Sequence, residues 1–291
     1  MTHTAADLEF LRDSIGNTEE TRDFAAPMQI HGLAALLDKP DTPGMGDPIG
    51  PMGHWCYFYP RVPASGIGAD GHPERGGFLP PTPLPRRMFG GCRTTYRQDV
   101  LIGEEIVRKA RIADVSIKDG RTGILVIVTI AYRIESPRGL CIEEEHDIVY
   151  RGNPPAGIAD NRGHSGKTGN APTDHAFIRE IAPDPVMLFR YSAVTFNGHR
   201  IHYDRKYATE VEGYPGLIVH GPLTTTHMLE LGMAQMPDRR VVRYDFQARA
   251  PLFDTAPFKV AGKPGEDGDS QTLWSVTPDG NLGTIATAIY G

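Results

Sequence analysis

Asn197, His199, Arg200, His202 and Asp204 fall within eight consecutive positions, and His220-Gly221-Pro222 follows a short way on. A histidine with an ordinary pKa near 6.5 exchanges protons at neutral pH. Proline fits the first turn of a helix and Gly221 suits the cap, so a helix is expected over residues 222–236. The first backbone N–H groups of a helix have no intrahelical partner and carry partial positive charge. They are placed to stabilise an oxygen that becomes negative during reaction. A base beside such a donor is what reversible addition of water to an activated double bond requires. Structural readings stand beside this one. His199 could fix the 197–204 turn by hydrogen bonding, and His220 could pack at the helix start and shape a pocket. Arg200 could hold a carboxylate or a phosphate, or pair with Asp204 or Glu210. Tyr191 and Tyr214 read as pocket walls, and His146 and His227 as sheet or core histidines. His199 and His202, with Asp204 and His220, are ligand types for zinc or iron, but no third ligand stands at a recognisable spacing, so no metal site is expected.

The elements that must position these groups are mostly strands. Residues 124–134 are rich in β-branched side chains, as a buried strand should be. Around them the chain partly repeats itself. PRRMFGGCRTTYRQDVLIGE precedes the Ser136-Pro137-Arg138-Gly139 turn and Tyr150. In the same order, PDRRVVRYDFQARAPLFD precedes Thr277-Pro278-Asp279-Gly280 and Tyr290. Both turns have hairpin chemistry. A duplicated β-meander is therefore expected, its halves spanning residues 1–150 and 176–291. Residues 151–175 form a linker without aromatic residues. Within that linker, Gly166-Lys167-Thr168 and Gly163–Lys167 imitate a P-loop and a nucleophile elbow but lack the required glycines. Helices are few: residues 25–37 give one, and the apolar 222–236 segment gives a second that a sheet should wrap. Residues 38–85 hold 20 glycines and prolines around Trp55, Tyr57, Phe58 and Tyr59, and read as an ordered loop over a core.

Composition narrows the function classes. The 291 residues contain 33 glycines and 25 prolines, about a fifth of the chain, which favours strands and loops over a helix bundle. A net charge of -6 argues against a nucleic-acid partner. Cys56, Cys92 and Cys141 form no CxxC pair and no disulfide framework. Neither a signal peptide nor a membrane-spanning run is read, so a cytoplasmic protein is expected.

The active segment resembles the signature of the MaoC-like (R)-specific enoyl-CoA hydratases, aromatic-x-x-Leu-Ser/Thr-Gly-Asp-x-Asn-Pro-Ile/Leu-His. Tyr191, Val194 and Thr195 fit it, Asn197 stands at its Asp, His199-Arg200 at its Asn-Pro, and Ile201-His202 at its Ile-His. Residues 217–221 resemble its later Ile-x-x-His-Gly element. LAALLD, GHWCYFYP and RMFGGCRTTYRQDVLIGE resemble the double hot-dog subgroup containing mesaconyl-C4-CoA hydratase, itaconyl-CoA hydratase and the mitochondrial type of 3-hydroxyacyl-thioester dehydratase. The resemblance implies an α+β double hot-dog, two antiparallel sheets each wrapping a central helix. Its first half would be a degenerate acyl and CoA channel and its second half catalytic. It implies an acyl-CoA substrate, no cofactor, and His202, Asn197 and Gly221 as the catalytic groups. His199, Arg200, Tyr191, His220 and Tyr214 are then expected to line or bind the substrate. With an amide at the family's aspartate, His202 alone would be the base and Asn197 would orient the water. A fatty-acid-type dehydratase, a thioesterase and a non-catalytic acyl-CoA-binding protein are the alternatives. Pairing through sheet edges makes a homodimer the expected assembly.

Overall fold

A computed structural model describes residues 4–120, 123–152 and 169–291; the two motif look-alikes and most of the 151–175 segment lie outside them. The strands are β1 (Thr18–Phe24), β2 (Arg86–Tyr96), β3 (Glu105–Gly120), β4 (Gly123–Ser136), β5 (Gly139–Arg151), β6 (Phe177–Ile181), β7 (Val241–Ala248), β8 (Phe258–Pro264), β9 (Ser270–Val276) and β10 (Leu282–Tyr290). They form one antiparallel sheet in the order β1-β3-β4-β5-β2-β7-β10-β9-β8-β6. Followed outward from the middle, β2-β5-β4-β3-β1 and β7-β10-β9-β8-β6 have the same connectivity, so the repeat in the sequence is a repeat in space. Gly139 and Gly280, at positive φ, close the two equivalent hairpins. Tyr150 and Tyr290 lie buried on the equivalent strands β5 and β10.

The expectation of two sheets needs refining, because the double hot-dog is joined edge to edge. Residues 91–95 of β2 pair with residues 243–247 of β7. A side chain at Gly91 would bring its Cβ within 2.7 Å of the Phe246 carbonyl oxygen, so the join needs glycine there.

Helix α1 spans Pro27–Leu36, α2 spans Pro185–Val194, and α3 spans Gly221–Met233. The last is apolar on nearly every side because it lies against β8, β9 and β10. Polar tethers fix it in this hollow. Gln271 Nε2 donates to the Gly232 carbonyl at 3.1 Å, Tyr290 supports Gln271, and the Tyr244 hydroxyl donates to the Thr225 carbonyl.

The first half differs. Its helix α1 packs on α2 and on the short 3-10 turn Gly53–Cys56. That turn and the following Tyr57 and Phe58 share a core with Cys92, Tyr96, Ile134 and Ile142 of β2, β4 and β5, and this core continues into Leu223 and Met228 of α3. The glycine- and proline-rich segment is thus an ordered cover, as expected. No helix of the described residues is long and apolar enough to cross a membrane.

Candidate active site

The 197–221 segment is built from local turns locked by two distant pieces of chain. Asn197 Oδ1 accepts the His199 N–H at 3.0 Å, an Asx turn that starts the 3-10 turn Arg200–His202. On one side the first-half loop grips it: Arg200 N–H donates to the Asp70 carbonyl at 2.9 Å. Gly71 lies at φ +90°, where a Cβ would sit 1.9 Å from the Gly198 carbonyl oxygen. On the other side, Ile218 N–H donates to the Ile201 carbonyl at 3.0 Å, and Val219 N–H to the Leu252 carbonyl at 2.9 Å.

His202 Nδ1 donates back to the Ile218 carbonyl at 2.8 Å. That bond fixes the tautomer and leaves Nε2 with its lone pair. Burial pushes the His202 pKa down to about 4, although the Ile218 carbonyl works the other way. The imidazole is therefore neutral at physiological pH, ready to accept a proton. His220 stacks on it at 3.7 Å between ring centres and bonds Ser192 Oγ through Nε2 at 2.9 Å. Burial also holds His220 and His199 well below the usual histidine range.

His202, His199, Asn197, Tyr214 and Gly221 line one cavity of about 300 Å³, and Gly221 is the first residue of α3. A second cavity, of about 700 Å³, takes Tyr191 and Asn197. The two share Trp55, His72, Tyr132, His146, Asn197 and Pro222 as walls. Two residues expected at the substrate, Arg200 and His220, are not among the walls of these cavities. Arg200 lines neither cavity: its Nε and Nη2 bond Asp204 at 3.0 and 2.7 Å, its Nη1 bonds the Ala69 carbonyl, and its guanidinium lies 4.2 Å over Tyr207. His220 stands behind His202, supporting the ring without reaching either cavity.

Sequence reasoning missed the groups the first half contributes. His72 Nδ1 lies 3.3 Å from Asp70 Oδ2, and its ring centre is 4.2 Å from that of His199. Burial pulls its pKa down against the pull of Asp70. Deeper in, Glu144 Oε2 accepts from His54 Nε2 at 2.8 Å and Thr94 Oγ1 at 2.7 Å, and the Trp55 indole N–H also donates to its carboxylate. Burial opposes the Glu144 charge, but His54 and His146 hold its carboxyl well below the usual range. The only hint of these residues in the sequence was the aromatic cluster embedded among glycines and prolines.

Among the described residues, two groups bring ligand-type atoms within 4.8 Å of one another: Asp70, His72 and His199, and Cys92, Glu144 and His146. The set weighed from sequence is not assembled, because Asp204 faces Arg200 and the Tyr207 N–H.

The arrangement joins a neutral imidazole, an amide and a helix N-terminus along one cavity wall. The profile of the family described as hydroxyacyl-thioester dehydratase type 2 matches residues 52–254. The chain is 44% identical over 278 residues to the mesaconyl-C4-CoA hydratase of Chloroflexus aurantiacus, covering 95% of this chain and 96% of that one. Among solved structures, a MaoC-like dehydratase from Phytophthora capsici superposes with a TM-score of 0.67 at 14% identity, over 97% of each chain. A Mycobacterium tuberculosis protein described as a double hot-dog superposes with a TM-score of 0.53 at 11% identity, covering 100% of this chain and 99% of that one. The fold is the double hot-dog, and the chain belongs to the hydroxyacyl-thioester dehydratase type 2 family.

Proposed function

We propose that the protein is a hydro-lyase that adds water reversibly to the double bond of an enoyl-CoA, acting on a short branched dicarboxylic acyl-CoA such as mesaconyl-C4-CoA or itaconyl-CoA. One observation carries this reading: His202 is a buried, neutral imidazole whose Nδ1–H is committed to Ile218, with Nε2 left as a base on the cavity that Gly221 also lines.

In the hydration direction, His202 Nε2 takes a proton from water as the water oxygen bonds to the β-carbon. The π electrons shift toward the thioester oxygen, and the Gly221 N–H, reinforced by the α3 dipole, stabilises that enolate. The imidazolium then returns its proton to the α-carbon, and the sum is addition of one water. The Asn197 amide oxygen is occupied by the His199 N–H, so its NH₂ group is what remains to hold the water or the substrate. We assign the first half to the acyl and CoA channel and the 176–291 half to catalysis. The cytoplasm and a homodimer complete the proposal: all three cysteines are free and buried, and among the described residues β1 and β6 are the end strands of the sheet.

The test incubates the protein with a panel of enoyl-CoAs and follows double-bond absorbance and free thiol together. Loss of the double bond with the thiol still masked is expected, and His202→Gln should slow it at least about 100-fold while leaving the circular dichroism unchanged. Thiol release without hydration, or near-normal turnover in the His202 variant, overturns the proposal.

A further inference from the structure

We infer that Arg108, on the inner face of β3, is the anchor for a single carboxylate at the end of the acyl group, and so determines selectivity for dicarboxylic over monocarboxylic acyl-CoAs. The inference deepens the proposed function and rests on it for the nature of the ligand.

The larger cavity is walled mainly by apolar and aromatic side chains, among them Trp55, Tyr57, Phe58, Tyr132 and Ile134. Among the described residues, Arg108 is the one lysine or arginine in its lining. Its guanidinium carbon lies 5.0 Å from the Phe58 ring centre and 5.2 Å from that of Tyr132. Two aromatic rings thus hold the planar group in place, which lowers the entropy lost when it binds a planar anion. Its Nε is buried and without a hydrogen-bond partner among the described residues. No acceptor of the described residues therefore holds the guanidinium at Nε, and a ligand anion at the group would match its charge. Other arginines in these walls are placed differently: Arg86 donates to the Glu212 carbonyl, and with Arg87 and Arg151 it lines the smaller cavity.

Among the described residues, Glu144 is the one carboxylate lining the larger cavity, and it does not compete for Arg108. Its oxygens already accept from His54, Trp55 and Thr94. The larger cavity adjoins the reaction site, with Trp55, His72, Tyr132, His146, Asn197 and Pro222 as shared walls. We place the double bond by His202 and the far end of the acyl group beyond these walls, toward Arg108.

An oxyanion here could come from the acyl carboxylate or from a phosphate of CoA. A single cation in an aromatic cavity matches a monoanion, whereas the several charges of CoA phosphates call for several cations. The acyl carboxylate is the source the geometry favours.

The test compares succinyl-CoA with butyryl-CoA, four-carbon saturated ligands with and without the terminal carboxylate, by calorimetry. Because neither ligand reacts, the result is independent of whether the protein is a hydratase. The unmodified protein should bind succinyl-CoA at least about 30-fold more tightly, the range expected when a guanidinium loses its buried partner. Arg108→Met keeps the stem between the rings. It should abolish the preference while leaving butyryl-CoA affinity within about threefold. Arg108→Lys, which restores the charge without the fork, should recover part of the preference and guards against a folding defect in the first variant. Equal weakening for both ligands would assign Arg108 to a CoA phosphate, and no preference in the unmodified protein would remove the anchor altogether; either overturns the inference.

Discussion

The acidic limb of the pH–rate profile tests the His202 assignment most sharply. Burial lowers the pKa of this imidazole from 6.5 to about 4. At about pH 5.5 such a group is roughly 97% neutral, whereas an ordinary histidine is about 9% neutral. The free protein should therefore keep nearly full kcat/KM at that pH, about tenfold more than an exposed histidine base would allow. The same shift acts on stability, and its sign is opposite to that of a histidine held by a carboxylate. Above pH 6.5 the imidazole is neutral in both folded and unfolded chains and contributes nothing. As pH falls from 6.5 to about 4, only the unfolded chain takes up the proton, and the fold loses about 3 kcal/mol from this residue alone. His227, also lowered to about 4 by burial, adds to the loss, as do His199 and His220, whose shifts run the same way. Initial hydration rates with subsaturating substrate, recorded with far-ultraviolet circular dichroism at each pH, separate the two effects. Activity should fall only below about pH 5, close to cooperative acid unfolding. A limb centred near 6.5 with the fold intact would refute the reasoning, because the base would then be a solvated histidine.

Two further expectations concern the segment that carries the site. Gly71→Ala forces a Cβ onto the Gly198 carbonyl from a positive-φ backbone, so it should cost at least about 2 kcal/mol in denaturant titration and reduce turnover in the protein that remains folded. Arg200→Ala removes a guanidinium that faces Asp204 and not the cavities, so KM should stay within about threefold while thermal stability falls slightly; a large rise in KM would return Arg200 to the substrate.

What was legible in the sequence was whatever short-range chemistry decides. The Pro222 helix start and the hairpin turns before Tyr150 and Tyr290 each follow from a few neighbouring residues, and each is found at its place; Asn197, His199 and His202 line the smaller cavity. His202 could be singled out because its segment has a recognisable pattern. The contributions of His72, Asp70, Glu144 and Arg108 could not be read, because their meaning comes from pairing across the chain. Arg108 becomes an inward-facing cation only through the register that sets it opposite Ile134 and Thr21. His72 reaches His199 across more than a hundred residues, from a loop whose glycines and prolines give no periodic signal. For Arg200 the sequence left an anion contact and an ion pair with Asp204 or Glu210 both open. Its chemistry suits an anion, but Asp204, one helical turn later, satisfies it first.

The edge-to-edge join of β2 to β7 makes a two-fold arrangement out of one polypeptide, and this releases the arrangement from symmetry. In an assembly of identical chains, every substitution appears twice, so a residue that improves one site must be tolerated at its mirror image. Here the two halves mutate independently. The second half keeps a helix whose first residue, Gly221, lines the smaller cavity, while the first half fills its hollow with the turn of His54 and Trp55, which line the larger one. Under the proposed roles of Arg108 and His202, selectivity can drift in the first half without disturbing the geometry around His202. Relatives that share this join should differ most in the walls of the larger cavity and least around the 197–221 segment.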